Sequence, residues 1–170
     1  MSWDSVADSL CPIARALGVV GDRWTLLIMR ELIMGNHRFD EIQAQTGMSS
    51  HLLSTRLKRM EEDGIVERRQ YSKRPPRYEY YQTAKGKELD QVILLLRAWG
   101  MKHCDFGAKD EPAMRVVHRE TGRLIDANWR PPDKGKRFTF DDVDSKISKG
   151  FAAEREKKRS AFRAARGLSD

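Results

Sequence analysis

Residues 48–69 constrain this chain most, because they predict one short amphipathic helix followed by a strand. Leu53, Leu57 and Met60 recur at steps of four and three residues, so they share one helical face. Serine oxygens at the start can accept unpaired backbone N–H groups, and Gly64 follows the last turn, where a left-handed residue commonly ends a helix. The other faces are small, polar or basic. This pattern is typical of an ordinary surface helix and equally of a helix that lies in a DNA major groove.

The neighbouring segments favour the DNA-binding interpretation. Residues 39–45 predict a shorter helix that ends at Thr46-Gly47, so two helices flank a glycine turn, as in a helix-turn-helix. Residues 65–71 and 77–83 predict two strands on either side of a charged, proline-rich turn. This hairpin would be the wing of a winged helix, and its stiff basic tip is expected to meet phosphates or a minor groove.

A long helix is predicted over residues 84–104, capped by Thr83. Its apolar residues cover more than half of its circumference, which is more than a small winged helix can bury. A second copy of the chain would cover the remainder, so the sequence predicts a dimer; packing on the chain's own N-terminal helices alone is the alternative. The predicted dimer interface comprises Leu89, Val92, Ile93, Leu96 and Trp99.

The charge favours a polyanionic partner without identifying it. The 170 residues carry a formal net charge of +7, and the isoelectric point is about 9.6, which favours nucleic acid first and an acidic membrane surface second. About +2 falls in residues 1–100 and about +5 in residues 101–170. Most of the positive excess therefore lies outside the helix-turn-helix.

Several classes of protein are not expected. The sequence has no long apolar run and no signal peptide, and its cysteine usage fits a reducing, cytoplasmic compartment. Cys11 and Cys104 match no metal spacing, and His37, His103 and His118 stand alone. Because no catalytic motif is present either, we expect no enzyme, no bound metal and no cofactor.

The predicted organisation is a mainly α, winged helix-turn-helix fold with a small β-hairpin wing and a C-terminal extension. Residues 1–106 form the DNA-binding and dimerisation domain, and residues 107–170 form the extension. Within the extension, residues 114–126 predict a hairpin and residues 144–166 a basic helix. Three roles of the extension stay open: it wraps the partner subunit, it contacts phosphates, or it binds another protein.

Residues 11 to about 106 resemble the HxlR-type transcriptional regulators, a branch of the winged-helix regulators related to the MarR type. The resemblance is carried by CPIARALGVVGDRWTLLIMREL, HRFDEIQAQTGMSSHLLSTRLKRMEEDGIVERR and PPRYEYYQTAKGKEL. It implies a homodimeric DNA-binding regulator, more often a repressor, joined through the first and last helices of the domain. Recognition helices over about residues 49–63 would enter successive major grooves of a pseudo-palindromic operator, with the wing at about 71–78.

Two sets of residues are predicted to contact DNA. The set at the front of the recognition helix is Ser49, Ser50, His51, Ser54 and Thr55. The phosphate set is basic and comprises Lys58, Lys73, Arg74 and Arg77.

Two further arginines match basic positions of the family and keep two interpretations each. Arg38 contacts phosphate or is simply solvated. Arg56 contacts the groove or forms a structural ion pair with a carboxylate such as Glu41. Some family members resemble the extension in having a hairpin similar to a zinc ribbon, but Thr121 stands where that pattern needs a cysteine. Zinc is therefore not expected.

The regulatory signal has redox and small-molecule candidates. Cys11 matches a cysteine of many family members, some of which sense oxidants or electrophiles. A helix N-terminus favours a thiolate there, whereas the other interpretation is an unreactive, buried core residue. Cys104 is expected to pack on the dimer helix, and a disulfide between the two cysteines of different subunits stays open. Trp24, Trp99 and Phe106 either line a ligand cavity between the N-terminal and dimer helices or belong to the core.

Three functions follow from these candidates. The first is a DNA-binding regulator that a small-molecule or redox signal releases from its operator. The second is a module whose main role is to sense a small molecule or thiol oxidation. The third is a protein-interaction module that has lost DNA binding, which the basic wing argues against.

Overall fold

The computed structural model describes residues 9–105, 113–131 and 138–167. The chain forms two compact units, Met1–Gly86 and Lys87–Asp170. The boundary between these units falls after Gly86, within the segment predicted as one long helix. The functional division at residue 106 stays a prediction. None of the described helices is long and apolar enough to cross a bilayer.

The first unit contains a helix-turn-helix followed by a hairpin. Its described elements are α1 (Pro12–Val20), α2 (Thr25–Ile33), α3 (Phe39–Thr46), α4 (Ser50–Glu62), β1 (Val66–Lys73) and β2 (Pro76–Gln82). The two strands pair antiparallel, with Lys73 opposite Pro76 at the tip, so the predicted wing is present. A short helix, α5 (Ala84–Lys87), follows.

The predicted recognition helix is α4, and its apolar stripe is the part that the fold buries. Leu53, Leu57 and Met60 are each at most 1% exposed, and each stabilises the fold by roughly 1.5–3 kcal/mol relative to an exposed position. Ser49 caps the helix by accepting a hydrogen bond from Leu52 N at 3.2 Å. Gly64 has a φ of 68° just after the last turn, as predicted.

The prediction of one unbroken helix over residues 84–104 is wrong. The segment is divided into α5 and α6 (Asp90–His103). Thr83 does cap the first part: its hydroxyl donates to Gly64 O at 2.7 Å and accepts from Gly86 N at 3.0 Å. In the second part, the Asp90 carboxylate accepts from Phe140 N at 3.0 Å. The helix is interrupted between α5 and α6 because α5 is bonded to residues of the first unit and α6 to residues of the second.

The second unit contains α6, β3 (Met114–His118), β4 (Val143–Ile147) and α7 (Lys149–Ala165) among its described residues. The two strands pair antiparallel, with Val116 opposite Ser145. The core of this unit comprises Leu94 of α6 together with Val116, Ile125, Phe138 and Val143.

The hairpin predicted over residues 114–126 is present as a short one. Gly122 N donates to His118 O at 2.8 Å in the turn, and the arms are joined by His118 N to Arg123 O at 2.8 Å and by Ile125 N to Val116 O at 2.9 Å, around the antiparallel bridge Val117–Leu124. Missed by the sequence analysis is a second partner, because β3 also pairs with β4. Since residues 143–147 form that strand, the basic helix predicted from residue 144 begins only after Ser148.

Candidate nucleic-acid interface

The front of α4 presents a compact polar surface. Ser49, Ser50, His51, Ser54 and Thr55 are all exposed, whereas the opposite stripe of the same helix is buried. Side chains of this kind can donate to or accept from base edges in a major groove. The helix therefore has the two-sided character that groove insertion needs, with its apolar side fixed to the core.

A buried glutamine, which sequence reasoning missed, fixes α4 against α3. The side-chain amide of Gln43 donates to Met48 O and to Ser50 Oγ, each at 3.0 Å. Gln43 is 7% exposed, so these hydrogen bonds are shielded from water. Ser50 therefore helps to orient the helix, besides lying on its exposed front. The signal available in the sequence was that Gln43, a polar residue, occupies a position on the buried face of α3.

Arg56 forms a structural ion pair. A guanidinium nitrogen lies 3.2 Å from Asp22 Oδ2, and both side chains are largely buried. Asp22 Oδ1 also accepts from the backbone N–H groups of Trp24 and Thr25 at 2.8 and 3.1 Å, at the start of α2. The named partner, Glu41, is wrong: its carboxylate is engaged with backbone N–H groups before α3. Arg56 therefore ties the recognition helix to α2.

Arg38 joins the helix-turn-helix to the wing instead of being simply solvated. Its Nε donates to Glu79 Oε1 at 3.2 Å, and its guanidinium lies 4.8 Å from the centroid of the Tyr71 ring. Tyr81 Oη donates to the other oxygen of the same carboxylate at 2.9 Å. The hydrogen bonds from Tyr81 and Arg38 hold the pKa of Glu79 below its ordinary value, so the carboxylate stays charged.

His37 makes a second link between the same two elements. Its Nδ1 lies 2.9 Å from Tyr80 O, and its backbone carbonyl accepts from Tyr80 N at 2.8 Å. The imidazole stacks on the Tyr81 ring with 4.2 Å between centroids. The start of α3 and the strand β2 therefore hold together through both side-chain and backbone contacts.

The tip of the wing is cationic. Lys73, Arg74 and Arg77 are exposed, and among the residues that the structure describes none of the three forms an ion pair. On α4, Lys58 is 80% exposed and lies 3.8 Å from Glu62. An exposed pair of this kind contributes only about 0.3–0.5 kcal/mol, so the ammonium group can exchange it for a phosphate at little cost.

The shaft of the wing is neutralised, in contrast to its tip. Arg68 lies 3.5 Å from Glu61 and 4.5 Å from the centroid of Tyr78. Arg69 donates to Glu67 from Nε at 2.8 Å and lies over the Tyr81 ring. Arginine on the shaft therefore stabilises the hairpin, and the positive charge available to a ligand is concentrated at the tip.

Both cysteines are exposed, and neither forms a disulfide within the described residues. Cys11 is the residue before α1 and has no side-chain capping bond, so the interpretation of a buried core residue is wrong for the chain by itself. Cys104 follows α6 and is likewise exposed, so the described residues do not supply its predicted packing. Of the possible ligand-pocket residues, Trp24 is half-buried in the first unit, Trp99 is exposed on α6 of the second unit, and Phe106 lies outside the described residues. A pocket formed by the three stays a prediction.

The helix predicted to form the dimer interface leaves much of its apolar surface exposed to solvent. Of the predicted interface residues, Leu89 and Ile93 are half-buried, whereas Val92, Leu96 and Trp99 are 41%, 48% and 60% exposed. Leu94 and Ala98 occupy the opposite side and are buried in the second unit. The N-terminal helix α1 has no buried residue, and Leu10, Ile13 and Leu17 on or before it are exposed.

Comparisons with known proteins agree with this geometry. A model of the family described as HxlR-like helix-turn-helix matches residues 19–107. An uncharacterised HTH-type transcriptional regulator of Mycobacterium tuberculosis is 33% identical over 142 residues, which is 84% of this chain and 89% of that protein. The HTH-type transcriptional regulator YodB of Bacillus subtilis is 35% identical over 104 residues, which is 60% of this chain and 93% of YodB.

Solved structures lead to the same family. The crystal structure of PA1607, a candidate transcription factor, covers 85% of this chain and 99% of its own, with a TM-score of 0.64 at 30% identity. The oxidised form of the redox regulator HypR covers 56% of this chain and all of its own, with a TM-score of 0.53 at 32% identity. The family model spans more than half of the chain, and relatives of known fold share its winged helix. The chain therefore belongs to the HxlR-like helix-turn-helix family, whose members are DNA-binding transcriptional regulators and not enzymes.

Proposed function

We propose that this regulator is a homodimeric repressor that binds a pseudo-palindromic operator in the cytoplasm. The observation that carries the proposal is the exposed polar front of α4, backed by a buried stripe and followed by a cationic wing tip. His51, Ser54 and Thr55 read base edges in the major groove, with Ser49 and Ser50 at the first turn. Lys58, Lys73, Arg74 and Arg77 contact phosphates.

The proposed dimer is supported by apolar surface that a single chain leaves exposed to solvent. Each unit supplies such residues by itself: Val92, Leu96 and Trp99 of α6 in the second unit, and Leu10, Ile13 and Leu17 in the first. Exposed apolar residues grouped on one element of a soluble protein favour an interaction site there. Two copies joined there present two α4 helices, and a pseudo-palindrome matches that twofold symmetry.

Release from the operator follows when a signal changes the spacing between the two α4 helices. Contacts to base edges are worth about 1–3 kcal/mol each. A ligand or an oxidation step that stabilises a spacing unsuited to the operator therefore favours the DNA-free dimer. The size of the shift is set by how much more that signal stabilises the DNA-free conformation than the DNA-bound one.

The test of the proposed function is binding to the DNA upstream of the protein's own gene, followed as a function of salt. Four phosphate-contacting residues per subunit predict a slope of log affinity against log salt of about −7 for the dimer. Fluorescence anisotropy over 50–300 mM salt measures the slope, with a shuffled duplex of the same composition as control. A shallow slope on both duplexes, or elution as a monomer at micromolar concentration, contradicts the proposal.

Thiol oxidation is the second candidate for the signal, favoured by the exposure of Cys11 at the start of α1. HypR, a redox regulator, is a structural relative. We expect oxidation by diamide to change operator affinity by at least about fivefold in the wild type and to leave Cys11→Ser unchanged. The Cys104→Ser variant tests whether the second cysteine is the resolving partner. An oxidant response that persists in Cys11→Ser excludes this mechanism.

A further inference from the structure

The second unit contains a cavity of about 610 Å³ that the helix-turn-helix does not use. Its apolar lining, among the described residues, comprises Met101 of α6, Met114 at the start of β3, Leu124, Ile125 and Ile147. A cavity of this volume is in the range that small organic ligands occupy, and methionines adapt their shape to an apolar ligand. The size and the lining suit an aromatic or branched aliphatic body.

The cavity is strongly cationic at its rim. Arg115 and Lys146 line it and are direct partners in the β3–β4 ladder. Like charges that face each other across two strands destabilise a sheet. Lys149, at the start of α7, adds a third positive charge, and none of the three is ion-paired with any residue in the described part of the chain. An anion between them would remove the repulsion.

Arg97 brings a positive charge into the cavity wall, and the Asp126 carboxylate offsets part of it. Its two terminal nitrogens donate to Ile125 O at 2.7 Å and to Met114 O at 2.6 Å. These acceptors are neutral carbonyls, and burial is the main reason why the pKa of the guanidinium is lowered. Among the described lining residues Asp126 is the acidic one; its Oδ1 accepts from Asn128 N at 2.8 Å, and its charge opposes the lowering of the Arg97 pKa. The guanidinium has five N–H donors, so it retains donors beyond these two hydrogen bonds.

The first turn of α7 contributes in the same direction. Ser148 and Lys149 line the cavity, and the 17-residue helix begins there. Backbone N–H groups and the helix dipole at such an end favour a negative charge. The cations, the dipole and the apolar lining therefore meet around one volume.

We propose that this cavity is the effector site of the regulator and that it binds a small organic carboxylate with an apolar body. The carboxylate lies against Arg97 and the Arg115–Lys146 pair, and the body lies against Met101 and Met114. The planar guanidinium matches a carboxylate better than a spherical cation would. The binding stands on this unit alone, whereas its effector role rests on the proposed function.

Isothermal titration of the full-length protein, without DNA, tests the binding. The probes are 2-naphthoate and its neutral analogue 2-naphthamide, which share one ring system. We expect the amide to bind at least about tenfold more weakly, because it lacks the charge-assisted contact. Inorganic phosphate at the same concentration is expected to bind more weakly than 2-naphthoate, since it cannot use the apolar lining. Equal affinity for acid and amide, or tighter binding of phosphate alone, overturns the proposal.

Three variants test whether 2-naphthoate binds at this site or is attracted by the general positive charge of the protein. Arg97→Gln and Arg115→Gln are each expected to weaken 2-naphthoate binding by about tenfold. Arg115 is exposed, so its variant remains informative even if the first one fails to fold. Lys157→Gln is the matched control, because Lys157 is an exposed cation on α7 outside the lining. Loss of affinity in the control, or none in Arg115→Gln, overturns the site.

The effector role is read from operator affinity with and without saturating 2-naphthoate. A change of about fivefold or more supports the role. Binding of 2-naphthoate with unchanged operator affinity overturns the effector role. Failure to bind any operator would instead contradict the proposed function and leave the titration result as it stands.

Discussion

Replacing His51 and Ser54 together with alanine is expected to lower operator affinity by at least about a hundredfold. Each lost base contact costs roughly 1–3 kcal/mol, and a dimer loses both contacts twice. Both side chains are exposed on the front of α4, so their removal leaves the buried stripe intact. Affinity for a shuffled duplex is expected to stay within about twofold, since non-specific binding comes from phosphate contacts. Anisotropy on both duplexes at one salt concentration measures the ratio.

The matched control is Lys58→Gln on the same helix. It removes a charge instead of a base contact, so affinity should fall by a similar factor on both duplexes. The salt slope of the dimer should become shallower by about two, one for each subunit. If the double variant kept its preference for the operator, the assignment of base readout to the front of α4 would be wrong.

Gly86→Ala is expected to destabilise the first unit by about 3 kcal/mol. A Cβ at this position would lie 2.1 Å from Ile65 O and 3.1 Å from Ile65 C. Both atoms are backbone, so no side-chain rotation relieves the overlap, and α5 must move away from the end of α4. For a unit of this size such a loss corresponds to a fall of roughly 12–24 °C in its thermal midpoint. Urea unfolding followed by circular dichroism measures the free energy of unfolding.

Gly150→Ala provides a control of opposite sign. Gly150 lies in the first turn of α7, and a Cβ there would meet nothing within 4 Å. Alanine should therefore raise the stability of that helix slightly, by up to about 0.5 kcal/mol, because glycine is the poorer helix former. Wild-type stability in Gly86→Ala would contradict the close approach of α5 to Ile65.

The recognition helix and the wing were predictable because their signals are local. The stripe of Leu53, Leu57 and Met60 lies within two turns, and the cap at Ser49 adjoins it. The strands on either side of the proline-rich turn are neighbours in sequence, so the pairing partner of β1 needed no long-range information. These features place the candidate DNA-binding surface to within a few residues.

The remaining features depend on partners far along the chain. The break before α6 reflects contacts of Gly86 and Asp90 with residues that are distant in sequence. The turn after β3 is local and was predicted, whereas its second partner, β4, begins about 25 residues further on and was not. Arg56 similarly showed a basic position without showing which carboxylate, Asp22 or Glu41, it would meet. Pattern reasoning identifies which residues need a partner more readily than which partner they find.

The links from His37 and Arg38 to strand β2 have a consequence for the spacing of the contacted positions within the operator. Because they hold the wing to the start of α3, the proposed binding mode requires a fixed offset between the groove edge at α4 and the phosphates under the wing. One inserted base pair inside a half-site moves these two features apart by about 3.4 Å and rotates them by roughly 35°. Length variation should therefore be forbidden within each half-site and confined to the spacer, where the junction between subunits can adjust.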